Sequence, residues 1–312
     1  MKRSTYFPYL GLIIGILAVS TASILIRFAQ TEVPSFVIAA GRLTISSLLL
    51  APFALKQIKG RMQILSNKER FLLVLSGVFL GLHFATWITS LEYTTVASSV
   101  VIVTTAPLWV AVLSPLLLKE RSTKWAMVGL VVSMLGSVIV GLNSACTWDG
   151  TKLNCESLFS IKSGKMLFGN ILALAGAFLS AGYLMVGRKV RNSLDLISYT
   201  FSVYSIAALI LLCLVVIFRQ TIIGYSPITY LWIIGLAVIP QLIGHSSFNW
   251  VLRYLPATLV SIALLGEPVG TVILSYLFLK ESPTILEIVG GILILVGITI
   301  VSLKQSSSSI SP

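Results

Sequence analysis

PATLVSIALLGEPVGTVILSYLFLKES, residues 256–282, is one apolar run broken by a single acid, Glu267, with Pro268 directly after it. A carboxylate in the middle of a membrane helix is costly, so it faces a partner or a wet cavity. The proline removes a backbone donor and bends or opens the helix there. The stretch occurs twice. A shift of 161 positions lays Pro268 on Pro107, Leu252-Arg253-Tyr254 on Leu91-Glu92-Tyr93, and Ser275 on Ser114. It also lays Leu279-Lys280-Glu281 on Leu118-Lys119-Glu120, and Gly290 and Gly297 on Gly129 and Gly136. No gap is needed from residue 252 to residue 297. The chain is a duplication.

Composition sets the class. Of 312 residues, 56% are hydrophobic and 10% charged, against about 25% charged in soluble domains. The mean hydropathy is +0.98. A net charge of +12 would suggest nucleic acid for a soluble domain. Here the basic residues sit in short loops between apolar runs, where they read as topology signals, and no nucleic-acid partner is expected.

A bilayer crossing needs about 17–25 apolar residues. Ten runs qualify, over 8–28, 35–55, 71–91, 95–118, 125–142, 166–187, 197–218, 228–250, 257–279 and 284–303. The expected fold is an all-α polytopic membrane protein, ten helices in two five-helix repeats. The first repeat covers 1–142, a connecting loop 143–165, the second repeat 166–303, and a flexible tail 304–312. The N-terminal Met1-Lys2-Arg3 before an apolar run imitates a signal peptide. The same shift lays Gly15 on Gly176 and Arg27 on Arg188, and a cleaved leader would not be duplicated, so this run reads as the first helix.

With the N-terminus cytoplasmic, fifteen Lys and Arg fall in inner segments and six in outer ones (Arg27, Lys152, Lys162, Lys165, Arg219, Lys280), with Arg42 inside a helix. The bias puts both termini inside and the 143–165 loop outside, in a plasma (inner) membrane. Five spans per repeat is an odd number, so the second copy enters from the opposite side. Inverted repeats give two interchangeable shapes around a midplane site, which is the design of a transporter.

Few ionisable groups lie within the spans. Arg42 is either a group for a substrate anion or for Glu267, or a side chain that snorkels to the interface or ties down carbonyls. Glu267 is either a proton- or substrate-linked gate or an acid that satisfies backbone groups freed by Pro268. His83 and Trp87 share one helix face. They read as a cavity wall, against the alternative of a buried histidine bonded to a neighbouring hydroxyl. Gln241, His245 and Asn249, at four-residue steps, read as one polar stripe. Pro107, Pro115 and Pro240 mark bends. Gly11/Gly15, Gly77/Gly81 and the Gly129/Gly136 and Gly290/Gly297 faces suit close helix packing, and some such faces make dimers. Cys213 reads as inert packing. Cys146 and Cys155, in one polar loop, are either a disulfide or two thiols. Ser163-Gly164-Lys165 lacks the upstream glycine of a phosphate-binding loop, and no metal-ligand spacing is present. Neither an enzyme nor a cofactor is expected.

The duplicated halves, Glu267-Pro268-Val269, the outer Lys280-Glu281 and the spacing of Gly290, Gly291 and Gly297 resemble the EamA family of the drug/metabolite transporter superfamily, over essentially the whole chain. The resemblance implies two inverted five-helix repeats and a central cavity lined by helices 1, 3, 4, 6, 8 and 9. Members export amino acids and other metabolites, and relatives carry nucleotide sugars or sugar phosphates. By that analogy His83, Trp87, Gln241, His245 and Asn249, with Thr104, are the candidate substrate-binding residues. Arg42, Glu267, Pro107 and Pro268 are the coupling or gating candidates. The expected function is secondary transport, as an exporter, of a small polar or amphipathic, amino-acid-like metabolite. Protons or a counter-substrate would drive it, membrane lipid would surround it, and it would act as a monomer or homodimer. Uptake or exchange of nucleotides or sugars is the alternative, followed by a scaffold without transport. A phosphate would ask for clustered cations at midplane, and only Arg42 is there.

Overall fold

The computed structural model describes residues 7–94, 96–120, 122–145, 147–148, 153–154, 164–274, 276–277, 280 and 282–308. Ten helices in it are long and apolar enough to cross a membrane. In the first half these are α1 (Phe7–Ala29), α2 (Ser35–Ile58), α3 (Asn67–Tyr93), α4 (Ser98–Leu117) and α5 (Lys124–Gly141). The second half supplies α6 (Gly164–Val190), α7 (Leu196–Ile217), α8 (Pro227–Val251), α9 (Ala257–Leu274) and α10 (Ile285–Leu303). Each matches an expected run to within a few residues, and the protein is an integral membrane protein whose spans are all helical. In the connecting loop a short antiparallel ladder pairs β1 (Thr147–Trp148) with β2 (Leu153–Asn154). Cys146 and Cys155 lie outside the described residues.

The packing partners are α3 with α6 and α7, α2 with α7, α1 with α8, and α5 with α10. Exchange of the halves sends α3–α6 to α8–α1 and returns α2–α7 and α5–α10 to themselves. Small residues allow these approaches, because in lipid helices associate through close packing. An added Cβ at Gly136 would lie 2.5 Å from the Gly290 oxygen, and one at Gly129 2.5 Å from that of Gly297. The glycine faces of α5 and α10 are thus used against each other. Gly11 and Gly15 of α1 likewise meet Trp250 and Phe248 of α8, and Gly77 and Gly81 of α3 meet α7 at Ile206 and Ala207.

Four of the ten helices are interrupted. α1 opens at Ser20-Thr21, α4 at Thr104-Thr105 and α9 at Leu265-Gly266, while α8 contains a π-helix over Ala237–His245. The breaks in α4 and α9 are 161 residues apart. They fall just before Pro107 and Pro268 rather than at them. Each proline occupies the first turn of the resumed helix, where its missing N–H leaves no bond unmade. The prolines start the second half-helices instead of kinking continuous ones.

The same shift relates Lys119 and Lys280, both left-handed at φ 59°. That backbone costs a non-glycine residue about 1–2 kcal/mol. At Lys119 it turns the chain just past the end of α4.

Candidate functional site

The interruptions converge on one place. A cavity of about 90 Å³ is lined by Val19 and Ala22 of α1, Arg42 of α2, His83 and Trp87 of α3, and Val103, Thr104, Ala106 and Pro107 of α4. Its other wall is Ser180 of α6, His245 of α8, and Ser261, Leu264, Leu265 and Glu267 of α9. A second cavity of about 160 Å³ shares Trp87, Val103, Thr104 and Glu267 with it and adds Pro268, Thr271, Gly141 and Glu287. Gly141 ends α5 and Glu287 lies in the first turn of α10. The cavities therefore run from the centre toward the end that carries the 1–2, 3–4, 5–6, 7–8 and 9–10 connections.

Arg42 is 1% exposed, so it does not snorkel. Its Nε donates to Gln241 Oε1 at 2.8 Å, and the guanidinium lies over the Phe84 ring, 4.2 Å from the centroid. One face of the group is satisfied by a π-surface and one edge by an amide. Nη1 is buried with no protein partner. A buried donor left unpaired is costly.

His83 Nδ1 bonds the Gly176 carbonyl at 2.8 Å, which ties the ring to α6 rather than to a neighbouring hydroxyl. The His83 and Trp87 rings stack, with centroids 5.8 Å apart and 9° between planes. Trp87 Nε1 is buried and has no protein partner. His245 packs edge-on against Phe84, with centroids 5.4 Å apart.

Glu267 is the first residue of the resumed half-helix, where the exposed N–H groups and the helix dipole favour an anion. Its backbone oxygen accepts from Ser20 Oγ at 3.0 Å and Thr271 Oγ1 at 3.1 Å. α1 and α9 are thereby pinned at their interruptions. Glu267 and Arg42 line the same cavity without forming an ion pair with each other.

Two candidates lie elsewhere. Gln241 is fully buried and holds Arg42, and Asn249 is fully buried and accepts from the Tyr183 hydroxyl at 2.8 Å. Neither lines either cavity. The four-residue spacing that made a stripe of Gln241, His245 and Asn249 assumed an α-helix. The π-helix closes i→i+5 bonds and shifts the phase, so only His245 faces the cavity. Phe84, Ser180 and Ser261 complete the site without having been singled out in the sequence. A signal for them was present: the 161-residue shift pairs Phe84 with His245, Val19 with Ser180, Val100 with Ser261 and Ala106 with Glu267. At each pair one half supplies an apolar group and the other a polar one.

The EamA-like transporter family model matches residues 7–142 and 167–303. The chain is similar to the uncharacterized transporter YdfC of Bacillus subtilis (strain 168), 25% identical over 272 residues, covering 86% of this chain and 81% of that protein. It is similar to YetK, an uncharacterized transporter of the same organism, 23% identical over 310 residues and covering 97% and 89% of the two chains. An uncharacterized transporter of Archaeoglobus fulgidus is 24% identical over 290 residues, with 93% and 94% covered. A crystal structure of a protein 18% identical to this one superposes with a TM-score of 0.75 over 97% of this chain and 99% of that one, a likeness of fold alone. The three curated relatives carry the name of transporters. With both halves matched in turn, the chain belongs to the EamA-like transporter family.

Proposed function

We propose that this protein is a secondary transporter that carries a small amphipathic, amino-acid-like zwitterion through the central cavity by alternating access, as an exporter in a bacterial-type plasma membrane. One observation carries the reading. A basic and an acidic side chain, Arg42 and Glu267, line one small cavity without pairing, and Arg42 Nη1 and Trp87 Nε1 are left as unmet donors. A cargo with a carboxylate for Arg42, an ammonium for Glu267 and an apolar body against Trp87 would complete that arrangement. Thr104 and His245 would shape the remaining wall.

Alternating access is supported by the inverted-repeat reading of the sequence and by packing partners that map onto one another when the halves are exchanged. The orientation rests on the bias of Lys and Arg toward one set of loops. Export is the direction the family resemblance carries.

Counterflow in proteoliposomes tests the reading whatever the driving ion. Vesicles preloaded with unlabelled amino-acid pools should accumulate the labelled counterpart of one pool. Arg42→Gln should raise the half-saturation concentration about 10- to 100-fold, the loss expected for a hydrogen bond to a charged group. Arg42→Lys should not restore it, because Gln241 holds a guanidinium edge that an ammonium lacks. Silence with every amino-acid pool, from folded protein, would contradict the zwitterion reading. Silence with sugars and nucleotides as well would contradict transport.

A further inference from the structure

At the end opposite the cavity mouth, one charged cluster ties four segments together. Arg188, in the last turn of α6, donates from Nε to Glu120 Oε1 at 2.7 Å and from Nη1 to the Leu252 carbonyl at 2.7 Å. Glu120 Oε2 accepts from the backbone N–H of Ala257, the first residue of α9, at 3.3 Å. Glu120 reaches this position because left-handed Lys119 turns the chain back at the end of α4. The two side chains are 25% and 19% exposed, close enough to water to separate and buried enough to hold. The cluster thus spans the ends of α4, α6 and α8 and the start of α9. These helices also form much of the cavity wall.

The 161-residue shift relates Arg188 to Arg27 and Glu120 to Glu281. Arg27, at the other end of the molecule, is exposed and has no partner among the described residues; Glu281 lies outside them. The cavities approach the end of Arg27, which no described residue pairs with, and not the end with the formed ion pair.

We propose that the Glu120–Arg188 pair is a reversible latch, which holds this end closed and must part each time the cavity opens toward it. The latch is a separate device from the cargo site, and its test reads conformation rather than transport.

Spin labels at Lys124 and Lys189, exposed positions beside the cluster, report the width of this end by electron–electron distance in lipid nanodiscs, with the three native cysteines replaced by serine. The native pair should give mainly a short distance. Glu120→Gln should raise the longer-distance fraction about five- to tenfold, as should Arg188→Gln, and the double variant should add nothing further, because either change removes the same bond. An unchanged distribution in both single variants, or effects that simply add, would overturn the latch. Either single variant suffices if the other fails to fold. A second label pair at Thr31 and Ile285 reads the opposite end. Narrowing there is expected with the opening. If the first end opens while the second stays wide, the latch stands and alternating access fails.

Discussion

Glu32 is an exposed acid in the 1–2 connection that caps a helix from the other half of the chain. Its carboxylate accepts from the Ser226 backbone N–H and hydroxyl, both at 2.9 Å, at the start of α8. Those two bonds hold the carboxyl below its usual value, because they favour the charged form. A lowered native value means that the contribution is present above the unfolded value of about 4.3 and is lost as the pH falls through the native one. Glu32→Gln should therefore lower the melting temperature in detergent at pH 7, and by progressively less as the pH falls below the unfolded value. A loss that does not shrink as the pH falls would mean that the charge is irrelevant.

At this scale the sequence was legible wherever an ionisable or aromatic side chain interrupted an apolar run. Arg42, His83, Trp87, His245 and Glu267 do gather at one cavity. Ser180 and Ser261 were not legible, because serines are common in membrane helices and carry no signal until aligned with their apolar repeat partners.

The helices themselves follow from length and hydropathy, and all ten were legible. Their interruptions were only half so. Pro107 and Pro268 announced breaks in α4 and α9 but not their position, since a proline is better accommodated in a new first turn than at the break itself. α1 opens at Ser20-Thr21 with no proline or glycine at the break. There Ser20 Oγ bonds the Ile16 and Glu267 carbonyls, a tertiary contact that local sequence does not reveal. The π-helix of α8 contains Pro240, which gave warning of a bend but not of a phase change.

Close packing of α5 on α10 gives the prediction for this scale. Gly136→Ala would place a Cβ 2.5 Å from the Gly290 oxygen and 2.8 Å from the Ile294 nitrogen. Backbone atoms cannot rotate away, so the pair must separate, at about 1–3 kcal/mol for overpacking. Gly60→Ala, with nothing within 4 Å of the added carbon, should leave thermal stability in detergent unchanged or slightly raised. Equal effects at the two sites would refute the α5–α10 contact.

For the whole molecule, duplication was the most legible feature, and it reappears as breaks in α4 and α9 and left-handed lysines at matched positions. Which helices pair could not be read from hydropathy, since lipid-facing and buried apolar faces look alike in composition; the partners depend on small-residue faces that several helices share. The sequence also did not disclose that one end is tied by Glu120 and Arg188 while the cavities run to the other. That asymmetry belongs to the folded chain and not to the repeated sequence.

The central claim is that one cavity is reached from each side of the membrane in turn. A single cysteine at Ser180, on the cavity wall in α6, tests it most directly in protein whose native cysteines are serine. A membrane-impermeant maleimide is added from either side of oriented vesicles. The account predicts labelling from both sides, faster from the side the cavities now approach, with Glu120→Gln raising the rate from the other. Labelling from one side alone, in the native chain and in Glu120→Gln, would contradict it.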